Sequence, residues 1–130
     1  MRVLLDTQVW LWLQASPDRL GPEASKIVRD TANSLLLSAA SSWEIAIKYA
    51  LGKLRLPEEP AAYVPERMRR NGVDGLAVDH AHALHVASLP PHHRDPFDRL
   101  LIAQARLEGL VILTADPGFG LYDVELLSAG

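Results

Sequence analysis

Apolar residues fall in two rhythms along this chain, short unbroken runs and longer stretches at helical spacing, and the two alternate. The runs are Val3-Leu4-Leu5, Leu35-Leu36-Leu37 and Leu110-Val111-Ile112-Leu113-Thr114. Runs this short, partly β-branched and followed by helix-starting residues are expected of strands covered on both faces. After the first, Trp10-Leu11-Trp12-Leu13 predicts a short apolar helix ending before Ser16-Pro17, and residues from Pro22 to Asn33 predict an amphipathic helix with Ile27 and Val28 inward. Ser38 to Leu51 carries the clearest helical pattern: Trp43, Ala46, Ile47, Ala50 and Leu51 share one stripe, Ser41, Glu44 and Lys48 the opposite one, and Gly52 is placed to stop the helix. A weaker, charged helix is expected from Ala61 to Arg70, then a turn from Gly72 to Gly75, a short strand at Leu76-Ala77-Val78 and a helix from Asp79 to Leu89. Pro90-Pro91-His92-His93 reads as an exposed loop, Asp95-Pro96 opens a helix running to Glu108 before Gly109, and a turn at Pro117-Gly118 precedes a last strand at Val124 to Leu127. Alternating strand and helix signals, with no internal repeat or linker, predict one α/β domain over residues 1–130.

Composition narrows the chemistry. With 130 residues and 48% hydrophobic content, the chain suffices for one core and not comfortably for two. It has no apolar run of about 18 residues, and Met1-Arg2 leads straight into a strand, so the expectation is a cytoplasmic protein without a membrane segment. Absence of Cys removes thiolate nucleophiles and Cys-based metal sites, leaving Asp, Glu and His as possible ligands. A net charge of −3 argues against holding nucleic acid by bulk electrostatics. It leaves room for a nuclease, since an acidic cluster lowers the net charge by itself while a few rim cations hold phosphates.

The acids supply the candidate chemistry. Asp6 closes the first run and Asp116 lies just past the Leu110 run, and parallel α/β sheets collect active-site residues at the carboxyl ends of their strands. Each has a second reading as a helix cap, which is equally natural for Asp where a strand hands over to a helix or precedes Pro. Asp95 before Pro96 and Asp79 before His80 fit caps; Asp98 then falls in a first helical turn, where an acid favours the helix dipole. Glu44 sits among Trp43, Ile45, Ala46 and Ile47, and an i,i+4 pair with Lys48, worth about 0.2–0.5 kcal/mol, is too small to account for an acid in such company. Glu44 is therefore read as functional. In a parallel sheet Asp6, Glu44, Asp98 and Asp116 would gather at one edge, where four carboxylates repel one another unless a divalent cation neutralises them. An all-oxygen site suits Mg²⁺ or Mn²⁺ better than Zn²⁺.

Four spaced blocks, Leu-Leu-Asp6-Thr7, Ser-Ala-Ala-Ser-Ser-Trp43-Glu44-Ile-Ala-Ile-Lys48, His-Arg-Asp95-Pro-Phe-Asp98-Arg-Leu-Leu-Ile-Ala-Gln104 and Leu-Thr114-Ala-Asp116, resemble the PIN-domain ribonucleases. More narrowly they are similar to the VapC toxins of bacterial type II toxin–antitoxin pairs. The resemblance spans essentially the whole chain and implies a three-layer α/β/α PIN-like fold, with a central parallel sheet of four to five strands. The first strand would be central, the Leu35 and Leu110 strands beside it and the Leu76 strand at an edge. It implies catalytic and metal-holding roles for Asp6, Glu44, Asp98 and Asp116, support from Thr7 or Thr114, and Mg²⁺- or Mn²⁺-dependent hydrolysis of RNA phosphodiesters. It further implies a homodimer, and a VapB-like antitoxin that forms a hetero-oligomer with the toxin and covers its acidic pocket. Lys48, Arg94 and Arg99 flank the acids and are candidate phosphate contacts. Two positions depart from the family: Gln8 stands where close relatives often have His, and Pro117-Gly118-Phe119 supplies no further acid after Asp116.

Other readings of the same residues are weaker. A phosphatase of the haloacid-dehalogenase type needs a second Asp two residues after the first, where this chain has Gln8. A response-regulator receiver needs an Asp after a middle strand, where Leu37 is followed by Ser38. A non-catalytic module keeping the fold for protein contacts would not require the full acid set. His80 and His82 fall on different helix faces, against a histidine metal site. Trp10, Trp12 and Trp43 suit core or interface packing, and Arg67, Arg69 and Arg70 a solvated helix face.

Overall fold

The computed structural model describes residues 1–130. Five strands, β1 (Arg2–Leu5), β2 (Ser34–Ser38), β3 (Val73–Leu76), β4 (Val111–Thr114) and β5 (Leu126–Ser128), form one sheet in the order β3-β2-β1-β4-β5. Every neighbouring pair is parallel. Six helices connect them: α1 (Thr7–Ala15), α2 (Pro22–Arg29), α3 (Ala39–Ala50), α4 (Pro60–Asn71), α5 (His80–His85) and α6 (Pro96–Glu108). Parallel strands need such crossovers, and the helices cover both faces of the sheet.

The apolar runs divide between those faces with the strand period of two. Val3, Leu5, Leu35, Leu37 and Leu113 join Val9, Trp10, Ile45 and Tyr63 in one core. Leu4, Leu36 and Ile112 join Leu101, Ile102 and Phe119 in the other. The expected positions of β1 at the centre, β2 and β4 beside it and β3 at an edge are all observed. The chain reverses its direction of winding between β1 and β4, and this is the place where open parallel sheets leave a crevice outside the strand ends.

Several boundaries differ from the sequence reading. The second helix ends at Arg29, short of Asn33, because Asp30 Oδ1 accepts from Ala32 N and Asn33 Nδ2 donates to Ile27 O, closing a turn. Gly72 alone adopts the left-handed backbone that stops α4, so β3 starts at once at Val73 and includes Gly75 in the expected turn. The expected helix over Asp79–Leu89 gives way at Val86 to a single 3₁₀ turn, whose carbonyls are taken by Arg99: its Nη2 donates to Val86 O and Leu89 O. Asp79 is a cap as expected, accepting from His82 N while its own N–H donates to His82 Nδ1. The Pro117 turn extends as a 3₁₀ helix to Leu121, and the last strand is displaced to Leu126–Ser128.

The largest departure concerns α3. Its apolar stripe faces outward, Trp43 being 61% and Leu51 63% exposed, while Ser41 and Glu44 of the polar stripe are buried beside Ile45. Periodicity alone would point an apolar stripe inward. Here polar partners compensate the inward turn: Thr7 Oγ1 donates to Ser41 Oγ at 2.7 Å, and Lys48 Nζ reaches Glu44 Oε2 at 2.6 Å.

Candidate active site

Asp6 follows β1 directly, and its backbone N–H continues the sheet by donating to Leu113 O on β4. It occupies the N-cap position of α1, yet its carboxylate makes no capping hydrogen bond. Instead Asp6 Oδ2 accepts from Thr114 Oγ1 at 2.7 Å, and the same hydroxyl oxygen accepts from Asp116 N at 3.0 Å. Thr114 thus ties together the two acids that follow β1 and β4. Burial pushes the Asp6 carboxyl above its ordinary pKa, the Thr114 hydroxyl opposes this, and the negative charges of Glu44 and Asp116 add to the rise.

Asp95 caps α6, its Oδ1 accepting from Phe97 N and Asp98 N. That leaves the Asp98 carboxylate free of capping, in the first turn of the helix and largely buried. Burial lifts its pKa to about 7, with the charges of Asp95 and Asp6 adding. Asp116 differs: Oδ1 accepts from Gly118 N at 2.8 Å, and this bond, helped by His93, holds its pKa below the usual value. Glu44 offers one oxygen to Lys48, while Oε1 is buried with no hydrogen-bond partner.

All four acids line one cleft of about 360 Å³, with Thr7, Gln8, Lys48 and Asp95 among its other polar walls. Lys48 is half-exposed at the mouth and its ammonium pKa is raised, first by the hydrogen bond to Glu44. Two of the candidate phosphate contacts lie elsewhere. Arg99 is committed to the carbonyls of Pro90, Val86 and Leu89 and to the Tyr122 hydroxyl, so it anchors a loop. Arg94 is exposed and outside the cleft walls. Neither departure follows from sequence spacing, because the direction of a long side chain depends on which carbonyls the fold presents to it.

The sequence reading places His93 in an exposed loop and sets aside a metal site built from it and the other histidines, yet it belongs to this site. Its Nε2 stands 3.2 Å from Asp98 Oδ2 and 3.2 Å from Asp116 Oδ2. The available signal was its place two residues before the cap Asp95, close enough for its ring to reach back to the helix start. The other histidine cluster, His82 with Asp79 and Glu108, lies outside the cleft walls: His82 Nδ1 accepts from Asp79 N and Nε2 meets Glu108 Oε1 at 2.8 Å, a half-buried structural pairing between α5 and α6.

This arrangement has known counterparts. A family model described as the PIN domain matches residues 3–125. The chain belongs to the PIN-domain family. Within it, this PIN domain is similar to Ribonuclease VapC16 of Mycobacterium tuberculosis (strain ATCC 25618 / H37Rv), with 64% identity over 63 residues, a stretch that takes in 48% of this chain and 45% of that protein. The similarity therefore spans about half the length of that relative. Among solved structures, VapBC2 from Rickettsia felis bound to a DNA fragment from their promoter matches this PIN domain at TM-score 0.73 and 13% identity, covering 100% of both chains. DNA-bound VapBC from Salmonella typhimurium matches at TM-score 0.72 and 19% identity, covering 98% of each chain. At these identities the structural likeness shows the fold, a PIN fold with its parallel five-stranded sheet.

Proposed function

We propose that this PIN domain is a Mg²⁺- or Mn²⁺-dependent endoribonuclease, acting as the toxin of a type II toxin–antitoxin pair. The observation that carries the reading is the convergence of Asp6, Glu44, Asp98 and Asp116 on one cleft, with Glu44 Oε1 buried and unpartnered. An orphaned buried carboxylate oxygen is costly unless a positive charge meets it. A donor set made of carboxylates fits a hard divalent cation. The family membership and the similarity to a protein named ribonuclease support the nuclease reading over a phosphatase or a purely binding role.

In this reading the four carboxylates hold the cation or cations. When bound, the metal lowers the pKa of a coordinated water and stabilises charge on the scissile phosphate and the leaving oxygen. Thr114 fixes one face of Asp6 by donating to Oδ2. Lys48 neutralises Glu44 Oε2 and, at the mouth, is placed to meet a phosphate. Thr7, whose hydroxyl hydrogen goes to Ser41, supports the wall between α1 and α3. A water oxygen bonds to phosphorus in line as the P–O3′ bond breaks, giving a 5′ phosphate and a 3′ hydroxyl. No 2′ hydroxyl takes part.

The solved VapBC complexes support a VapB-like antitoxin as partner, and the family resemblance implies a homodimer as the toxin's own assembly. Expression in a bacterial host tests the toxin role. Growth arrest is expected from the wild-type chain, relief from Asp6→Asn or from a co-expressed cognate antitoxin. Arrest that persists in Asp6→Asn would overturn the reading.

A further inference from the structure

His93, Asp98 and Asp116 bring ligand-type atoms within 4.8 Å of one another, which invites the view that His93 is a metal ligand. The hydrogen bonds of its ring argue otherwise. His93 Nδ1 lies 3.2 Å from Asp95 N. A backbone amide can only donate, so Nδ1 is the acceptor and carries no proton. The ring hydrogen therefore sits on Nε2, the atom facing the two carboxylates, and a protonated nitrogen has no lone pair for a cation.

The ring is also caged. Its backbone N–H donates to the Tyr122 hydroxyl at 2.7 Å, and that hydroxyl is held in turn by Arg99. Phe119 packs edge-on at 6.1 Å, and a Cβ at Gly118 would stand 2.9 Å from His93 Cδ2 and 3.1 Å from Asp116 Oδ1. Any side chain at residue 118 would displace the ring, the acid or both.

We propose that His93 is a positioning residue of the acidic site and not a metal ligand: its Nε2–H donates to Asp116 Oδ2 and stands against Asp98 Oδ2, fixing the spacing of the two carboxylates. Asp116 is then oriented at both oxygens, Oδ1 by Gly118 N–H and Oδ2 by His93, and each oxygen keeps a second lone pair for the cation. This rests on the cation-dependent reading above and assigns a role to a residue that reading does not use.

Two measurements test it. Long-range ¹H–¹⁵N correlation spectra of ¹⁵N-labelled protein should show His93 protonated on Nε2 alone, both without metal and after Mg²⁺ addition. A shift of the proton to Nδ1 when Mg²⁺ is added would make His93 a ligand and overturn the proposal. Mn²⁺ titration calorimetry should show about tenfold weaker binding for His93→Ala, the scale of losing a partner that orients a ligand. His93→Gln, whose amide N–H can replace Nε2–H, should recover most of that affinity, and circular dichroism should show both variants folded. A folded His93→Ala protein that binds Mn²⁺ as wild type does overturns the proposal alone. A wild-type protein that binds no Mn²⁺ overturns the cation reading and this proposal with it, a distinguishable outcome.

Discussion

At the scale of residues, the acids of the cleft are unequal, and their inequality is testable without any RNA. Asp98 binds its proton more tightly in the fold than in the unfolded chain, its pKa standing near 7 against an ordinary 3.8. Between those values the metal-free folded state holds more protons, so stability falls as pH rises through the window and levels off above about 7. Asp6 shifts in the same direction, whereas Asp116, shifted down, contributes stability that is lost only as pH falls through its lowered pKa. Thermal unfolding in chelator should therefore show a midpoint that declines from about pH 5 to about pH 7 and changes little above that. Asp98→Asn should flatten that decline and raise the midpoint at the alkaline end; an unchanged slope would mean that Asp98 is not the strained acid. The four carboxylates were legible in the sequence because each sits at a predictable hand-over from strand to helix or inside an apolar helix. His93 and Arg99 were not, since their roles depend on ring orientation and on carbonyls supplied by distant turns.

At the scale of elements, α3 and α6 carry the site from opposite sides of the sheet edge, and both are anchored by buried polar contacts. Ser38 donates to Gln104 Oε1 while Gln104 Nε2 donates to Ala77 O, joining β2, α6 and the end of β3 through a fully buried amide. Replacing Gln104 by Leu strands both partners, and a buried polar group left unpaired costs about 1–3 kcal/mol. Urea denaturation of Gln104→Leu should show a loss in that range, and a neutral result would contradict the role given to the clamp. Ile102→Ala, at a site with no exposure on the same helix, should cost about 2–5 kcal/mol by leaving a cavity. Helix existence was readable from periodicity, and α6 began and ended where its cap Asp95 and terminator Gly109 predict. The inward face of α3 was not readable, because a polar stripe completed by Thr7 and Lys48 looks the same in sequence as one turned to solvent.

For the whole molecule, the order β3-β2-β1-β4-β5 decides where chemistry can occur, since it opens a crevice only where β1 meets β4. Asp6 and Asp116 flank that crevice, and α3 and α6 deliver Glu44 and Asp98 to it. This much was foreseeable from alternating runs and helices, with the family resemblance supplying the strand order that periodicity cannot. On the nuclease reading, overall charge sets how nucleic acid would be held: at −3 the molecule would depend on a few cations near the cleft, with Arg69 and Arg70 paired to Glu66 on an exposed face. Binding of a short fluorescent RNA to Asp98→Asn protein should thus weaken with salt at a slope no steeper than about −3, at about −0.7 per phosphate contact for single strands. A much steeper slope would point to a broad basic surface that this chain does not present. The most direct measurement of the central claim is cleavage of a cellular RNA pool by antitoxin-free protein in Mg²⁺, in Mn²⁺ and in chelator, alongside Asp98→Asn. The account predicts fragments bearing 5′ phosphates with either metal, and none with chelator or with the variant. Equal cleavage by Asp98→Asn, or fragments formed in chelator, would contradict it.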